Sequence, residues 1–154
     1  GFFVKVLNSV IEKNHFERLA GSAVFAQPVP QHWEGLVARN IIIKDKVLIG
    51  CVDSFISARI PWGSGVHINL GSEWAGHENI LIRRNRIVDW ESVGIRVDNA
   101  RNVRIHANRF ENKTKPGFLI EENCAISVGG NTQNVEVNDN DFRDQRMHRE
   151  IKRD

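Results

Sequence analysis

An all-β solenoid of about five coils, with parallel strands stacked along its axis, is the fold class that this sequence predicts. Three observations predict it. A nine-residue phrase, Asn-apolar-x-apolar-x-x-Asn-x-apolar, returns five times. Its copies lie a few tens of residues apart, the spacing of solenoid repeats. No stretch before the C-terminal tail keeps an i, i+3, i+4, i+7 apolar pattern for three turns, so helices are not indicated.

The phrase is cleanest at residues 102–110 (NVRIHANRF), with close copies at 79–87 (NILIRRNRI) and 134–142 (NVEVNDNDF). Weaker copies stand at 8–16 (NSVIEKNHF) and 40–48 (NIIIKDKVL). Within each copy the apolar residues sit two apart, the period of a strand that buries one face. Val103 and Ile105 are therefore expected inside, with Arg104 and His106 outside. The same parity puts Ile80, Ile82, Val135 and Val137 inside. Three residues further on comes Asn14, Asn85, Asn108 or Asn140. Asparagine tolerates left-handed backbone and bonds its own turn, so it suits a sharp bend. Phe16, Ile87, Phe110 and Phe142 then turn back into the core. Lys46 replaces the bend asparagine in the second copy, which predicts a looser or differently built turn.

Between phrases lies a second apolar segment, at 23–25, 66–68, 95–97 and 126–128. The spacings from phrase to phrase are 32, 39, 23 and 32 residues. Taking 23 as the bare coil leaves excesses of 9, 16 and 9, assigned to loops at 27–35, 54–63 and 113–121 that carry all four prolines. Proline belongs outside a central ladder. Residues 1–142 are thus read as coils and 143–154 as a charged tail or capping helix.

Composition excludes several classes. An apolar share of 41% and a charged share of 26% are ordinary for a globular domain. A net charge of +2, without a basic cluster interleaved with aromatics, gives no pull toward nucleic acid. No apolar run is long enough for membrane insertion as a helix. Cys51 and Cys124 lie 73 positions apart without a C-x-x-C, and are read as buried small hydrophobes. Six histidines show no zinc spacing, and neither a metal nor a cofactor is expected. There is no G-x-S-x-G elbow and no phosphate loop. No secretory signal is present and the chain opens on Gly1-Phe2-Phe3, so the start is expected to be processed or cut from a longer protein.

The phrase, the coil in the low twenties and the stacked bend asparagines resemble the right-handed parallel β-helix of the pectate-lyase-like superfamily, over residues 8–142. That resemblance implies a hydrogen-bonded ladder of Asn14, Asn85, Asn108 and Asn140, interrupted at Lys46. It also implies a secreted or periplasmic protein. Residues 20–25 (AGSAVF) and 31–43 (QHWEGLVARNIII) more narrowly resemble the later coils of bacterial β-helix α-1,3-galactosidases, in which a Trp-Glu loop sits between two coils. That likeness implies the C-terminal part of a glycoside hydrolase acting on galactoside-like glycans. The family's catalytic aspartates, an adjacent pair among them, belong to earlier coils and have no counterpart here.

The expected site lies on the second sheet. Its outward column is taken as Val24, His67, Arg96 and Ser127, flanked by loops bearing Trp33-Glu34, Trp62 and Glu73-Trp74. All four tryptophans, Trp90 included, are placed in or beside loops. Tryptophan beside carboxylates, His and Arg can stack on a sugar face and bind its hydroxyls. Trp33, Glu34, His67, Trp74 and Arg96 are therefore the candidate contacts to an oligosaccharide or polysaccharide. Catalytic residues are unassigned, because glycoside hydrolysis needs two carboxylates across the bond and sequence pairs none of the candidates. On the first sheet, Lys44 beside Arg83 offers an anionic-ligand strip, which keeps a polysaccharide lyase open as an alternative. A non-catalytic binding or adhesin module is the other. Residues 1–7 (GFFVKVL) offer no polar cap, so this face is expected to meet N-terminal coils of a longer parent or to self-associate.

Overall fold

The structure, a computed structural model, describes residues 1–4, 6–27, 37–51, 64–69, 76–90, 92–113, 124–144 and 149–153. After a short strand β1 (Phe2–Phe3), the chain winds through five coils of three strands each. The first holds β2 (Leu7–Glu12), β3 (His15–Glu17) and β4 (Val24–Ala26). The second holds β5 (Arg39–Lys44), β6 (Val47–Ile49) and β7 (Ser64–Asn69). The third is β8 (His77–Arg83), β9 (Arg86–Val88) and β10 (Val93–Asp98). The fourth is β11 (Ala100–His106), β12 (Arg109–Asn112) and β13 (Cys124–Gly129). The fifth is β14 (Gln133–Asn138), β15 (Asp141–Asp144) and β16 (Arg149–Arg153). Equivalent strands stack in three parallel sheets: A (β1-β4-β7-β10-β13-β16), B (β2-β5-β8-β11-β14) and C (β3-β6-β9-β12-β15). The fold is thus a parallel β-helix, as the repeat predicts.

The inward columns follow the phrase. Sheet B sends Ile41, Ile43, Ile80, Ile82, Val103 and Ile105 to the axis, sheet A sends Val66, Ile68, Ile95, Val97 and Ile126, and all are buried. Sheet C contributes Leu48, Ile87 and Phe110, and Phe110 stacks on Phe142 with ring centres 5.2 Å apart. Gly94 makes room for this stack: a Cβ there would come within 2.9 Å of the Phe110 ring. Trp90 belongs to this core too. It is buried edge-on to Phe110 at 5.7 Å, so the expectation that every tryptophan serves a loop fails at this one.

The bend asparagines do form a ladder. Asn85 Nδ2 donates to Asn108 Oδ1 at 2.9 Å and to Ile43 O at 3.0 Å. Asn108 Nδ2 donates to Asn140 Oδ1 and to Ile82 O, both at 3.0 Å. Each Oδ1 also takes a backbone N–H from the coil before it. The left-handed backbone falls one residue earlier than expected, on Lys13, Asp45, Arg84, Ala107 and Asp139. The bend asparagine is selected for its amide, which bridges coils.

Lys46 fills the gap rather than loosening it. Asp45 has the same left-handed φ as its counterparts, and Lys46 N bonds Asn85 Oδ1 as an asparagine's would. The Lys46 side chain is buried, with Nζ donating to Asn14 Oδ1. The ammonium also lies 5.4 Å from the Phe2 ring centre and 5.7 Å from that of Phe16. Lysine has no acceptor, so Asn14 presents its oxygen here instead of its NH₂. Burial pushes the Lys46 pKa down to about 8, against the pull of Glu12.

A second ladder was not foreseen. The first asparagine of every phrase (Asn8, Asn40, Asn79, Asn102, Asn134) has φ between 52° and 55° and turns the chain into sheet B. Their exposed amides bond in file over 2.7–3.1 Å, each Nδ2 donating to Oδ1 of the coil before. The tail is the other correction. Residues 149–153 form neither helix nor irregular end but a sixth strand on sheet A, with Ile151 in register with Ile126. An exposed edge of β13 with unpaired backbone groups is what recruits it.

Asn108→Ala is expected to lower the unfolding free energy by about 3 kcal/mol, because buried donors lose their partners, and Asn102→Ala by only about 1 kcal/mol. Urea titration of both variants measures the difference. Lys46 gives a pH signature. Its folded pKa is near 8 and its unfolded value 10.5, so between these the unfolded chain holds more protons and stability rises with pH. Lys46→Met should flatten that rise in melts across the window.

Candidate functional site

Sheet A is built from strands whose inward residues alternate with one outward column. Register fixes its members as Phe25, His67, Arg96, Ser127 and Lys152. Phe25, not Val24, occupies the place on β4: Val24 pairs with Val66 and is buried inside. The shift of one residue arises because β4 meets β7 out of the parity that sequence alone suggested. His67 and Arg96 are thereby brought onto adjacent strands, about 4.8 Å apart along the axis.

This column points away from the axis but not into water. His67 is wholly buried, and Arg96 and Ser127 nearly so. The Phe25 ring lies flat against the His67 imidazole at 4.8 Å and 11°. His67 Nδ1 sits 3.2 Å from Ser64 Oγ, and its Nε2 has no partner among the described residues. Burial, with the positive Arg96 and then His77 adding to it, pushes the His67 pKa down to about 3. The imidazole is therefore neutral at ordinary pH, a fixed hydrogen-bonding group beside the permanent charge of Arg96. Such a pair can orient a hydroxyl or carboxylate.

Trp33, Glu34 and Trp74, with Trp62, Glu73, Asp53 and Glu91, lie outside the described residues. In sequence, Trp33-Glu34 follows β4 and Glu73-Trp74 follows β7, the strands that carry Phe25 and His67. Among the described residues, the carboxylates of sheet A are Asp98 and Glu150, on β10 and β16. Strand spacing and rise put their backbones roughly 16 Å apart, beyond the roughly 5–10 Å that a glycosidase pair spans. No group of three His, Cys, Asp or Glu side chains fit to hold a metal occurs among the described residues. Cys51 and Cys124 are buried thiols not joined in a disulfide, and burial pushes the Cys51 thiol up to about 11.

The outer face of sheet B carries the two columns expected from the phrase. One runs Val10, Ile42, Leu81, Arg104, Glu136, the other Glu12, Lys44, Arg83, His106, Asn138. Lys44 does sit beside Arg83, but Glu12 takes its ammonium at 2.7 Å. The hydrogen bond and charge of Lys44 hold the Glu12 carboxyl below its ordinary range. The proposed anion strip is thus half neutralised from within. The first column and the exposed asparagine file border a shallow groove of about 390 Å³, with Arg104 and Glu136 paired at 2.7 Å.

Cross-coil ion pairs were missed from sequence. Arg84 holds Asp45 at 2.7 Å, Arg101 holds Glu78 at 3.0 Å, and the buried Glu111 carboxylate lies between Arg86 of the coil before and Arg109 of its own strand. Burial alone would raise the Glu111 pKa, but the bond and charge of Arg86, then Arg109 and Lys113, bring it below normal. The signal was available: across coils the partners occupy the same phrase position in Arg84 and Asp45 and in Arg101 and Glu78, and positions two apart in Arg86 and Glu111.

The stacked parallel strands, short left-handed turns and amide ladders define a solenoid of the β-helix class, a fold type on which carbohydrate-active proteins are built. The family model described as "Right handed beta helix region" matches residues 71–147, half of the chain. The chain belongs to this family. No curated protein and no solved structure matches it.

His67 should not titrate between pH 5 and 8; an imidazole carbon resonance that moves through that range would contradict its enclosure. Because its folded pKa lies below the unfolded 6.5, stability should fall as pH drops from about 6.5 toward 3, and His67→Phe should lessen that fall.

Proposed function

We propose that this chain is a carbohydrate-binding β-helix, the C-terminal part of a glycoside hydrolase acting on galactoside-like glycans. In this reading it supplies substrate contacts while the catalytic carboxylates stand on other coils. The observation that supports it best is the placement of His67 and Arg96 on adjacent strands of sheet A. In sequence, the His67 strand β7 is followed by Glu73-Trp74, and β4, which carries the Phe25 stacked on His67, is followed by Trp33-Glu34. An oriented cation beside a neutral imidazole binds hydroxyls, and tryptophan covers the apolar face of a sugar ring. The described acidic residues of sheets B and C are largely committed to ion pairs, which favours a binding role for this chain over an acid–base one. Export from the cell belongs to the same reading, since glycans of this class are met outside it.

The test is a glycan array followed by calorimetry on α- and β-galactosides. Binding is expected to weaken about tenfold or more in Trp33→Ala and in Glu34→Gln, the loss of about 1.4 kcal/mol or more. Failure to bind any galactoside would reject the galactoside assignment. Binding of other glycans, lost in the same variants, would keep the site and change its sugar.

A further inference from the structure

Among the rung residues Asn14, Lys46, Asn85, Asn108 and Asn140, Lys46 alone carries a nucleophile. Its amine is enclosed. The residue is 1% exposed, and the ring centres of Phe2 and Phe16 stand 5.4 and 5.7 Å from Nζ. The group it meets there is the half-buried side-chain amide of Asn14, one coil earlier, whose Oδ1 accepts from Nζ.

An amide carbon stands one C=O bond behind its oxygen. A nitrogen hydrogen-bonded to that oxygen is therefore at roughly the 3–3.5 Å from which a nucleophile attacks. The Cβ–Cγ torsion of asparagine is broad, so the Asn14 amide can turn the face of its carbonyl toward Nζ. That turn breaks no bond between the other rungs. In Asn85, Asn108 and Asn140 the oxygen holds a backbone N–H of the coil before, whereas in Asn14 it holds the amine.

The surroundings also activate the amine. Burial pushes the Lys46 pKa down to about 8, so part of the population is uncharged near neutral pH. A desolvated lysine is a competent nucleophile for this reason. Glu12 opposes the shift, and the same negative charge favours the positive nitrogen that forms as Nζ attacks.

We infer that Lys46 and Asn14 join in an isopeptide bond that the folded chain forms on itself. Nζ adds to Cγ of Asn14, the Cγ–Nδ2 bond breaks, and a proton from Nζ departs with Nδ2 as ammonia. Nothing is oxidised or reduced, and no co-reactant is consumed. A neutral secondary amide then stands where a cation was buried, which relieves its desolvation. The link ties the first coil to the second across a separation of 32 residues and so restricts the unfolded chain. It holds whether or not the chain binds a glycan.

Intact mass decides the matter. The folded chain, followed over time after purification, should come to weigh one ammonia less than its sequence. Lys46→Met and Lys46→Arg should keep their full mass, with circular dichroism to verify that they fold. Trypsin should release residues 14–18 joined to residues 45–59, because an acylated Lys46 is no longer cut. The pH signature of Lys46 belongs to the uncoupled chain and should vanish from the coupled one. Full mass in the folded chain overturns the inference. So does a loss of ammonia that persists in Lys46→Met, because imide formation at Asn14-His15 would then account for it.

Discussion

The bend between sheets B and C is where this molecule is decided. A chain that turns sharply within two residues exposes backbone N–H and C=O groups toward the interior, where water cannot reach them. Asn85, Asn108 and Asn140 meet that demand with one amide each: the oxygen takes a backbone N–H of the coil before, and the nitrogen reaches a carbonyl of the preceding coil and, in Asn85 and Asn108, the next rung as well. Buried amides left without partners are costly, so each rung depends on its neighbours. Coil stacking, strand register and the alignment of the outer columns all follow from that file.

Lys46 shows how much latitude the file allows. Its ammonium occupies the volume of a missing amide, finds the Asn14 oxygen and rests between two phenylalanine rings. A cation so placed pays in desolvation, seen as its lowered pKa. The turn survives because Lys46 N still reaches Asn85 Oδ1 and Asp45 keeps the left-handed conformation. Backbone geometry and side-chain bridging are separable duties here, carried by successive residues.

The outer faces have divided labour in the same register. Sheets B and C carry carboxylates held by arginines or lysine across coils, an arrangement that spends its charges internally. Sheet A instead encloses a neutral histidine beside an arginine, stacked on Phe25. An outward column that is nonetheless buried, on the sheet whose connections bear the tryptophans, is the feature that separates this face from the other two. The family's fold alone assigns no chemistry, since one scaffold serves many activities.

The sequence by itself determined the solenoid, its inward columns and the rungs of the buried ladder, because period-two alternation and a fixed coil spacing survive in one dimension. It also placed His67, Arg96 and Ser127 in one column. Tertiary structure alone decided the rest. Phe25 rather than Val24 takes the β4 place in that column because strand register depends on how β4 meets β7. Trp90 is core because the space beside Phe110 exists only once coils stack. Residues 149–153 became a strand because β13 offered an edge, which no local propensity encodes. The left-handed residue, the exposed asparagine file and the cross-coil ion pairs likewise rest on contacts between residues 23 to 39 positions apart. Local sequence specifies which face a side chain takes, whereas the neighbour it meets is set only when one coil is laid on another.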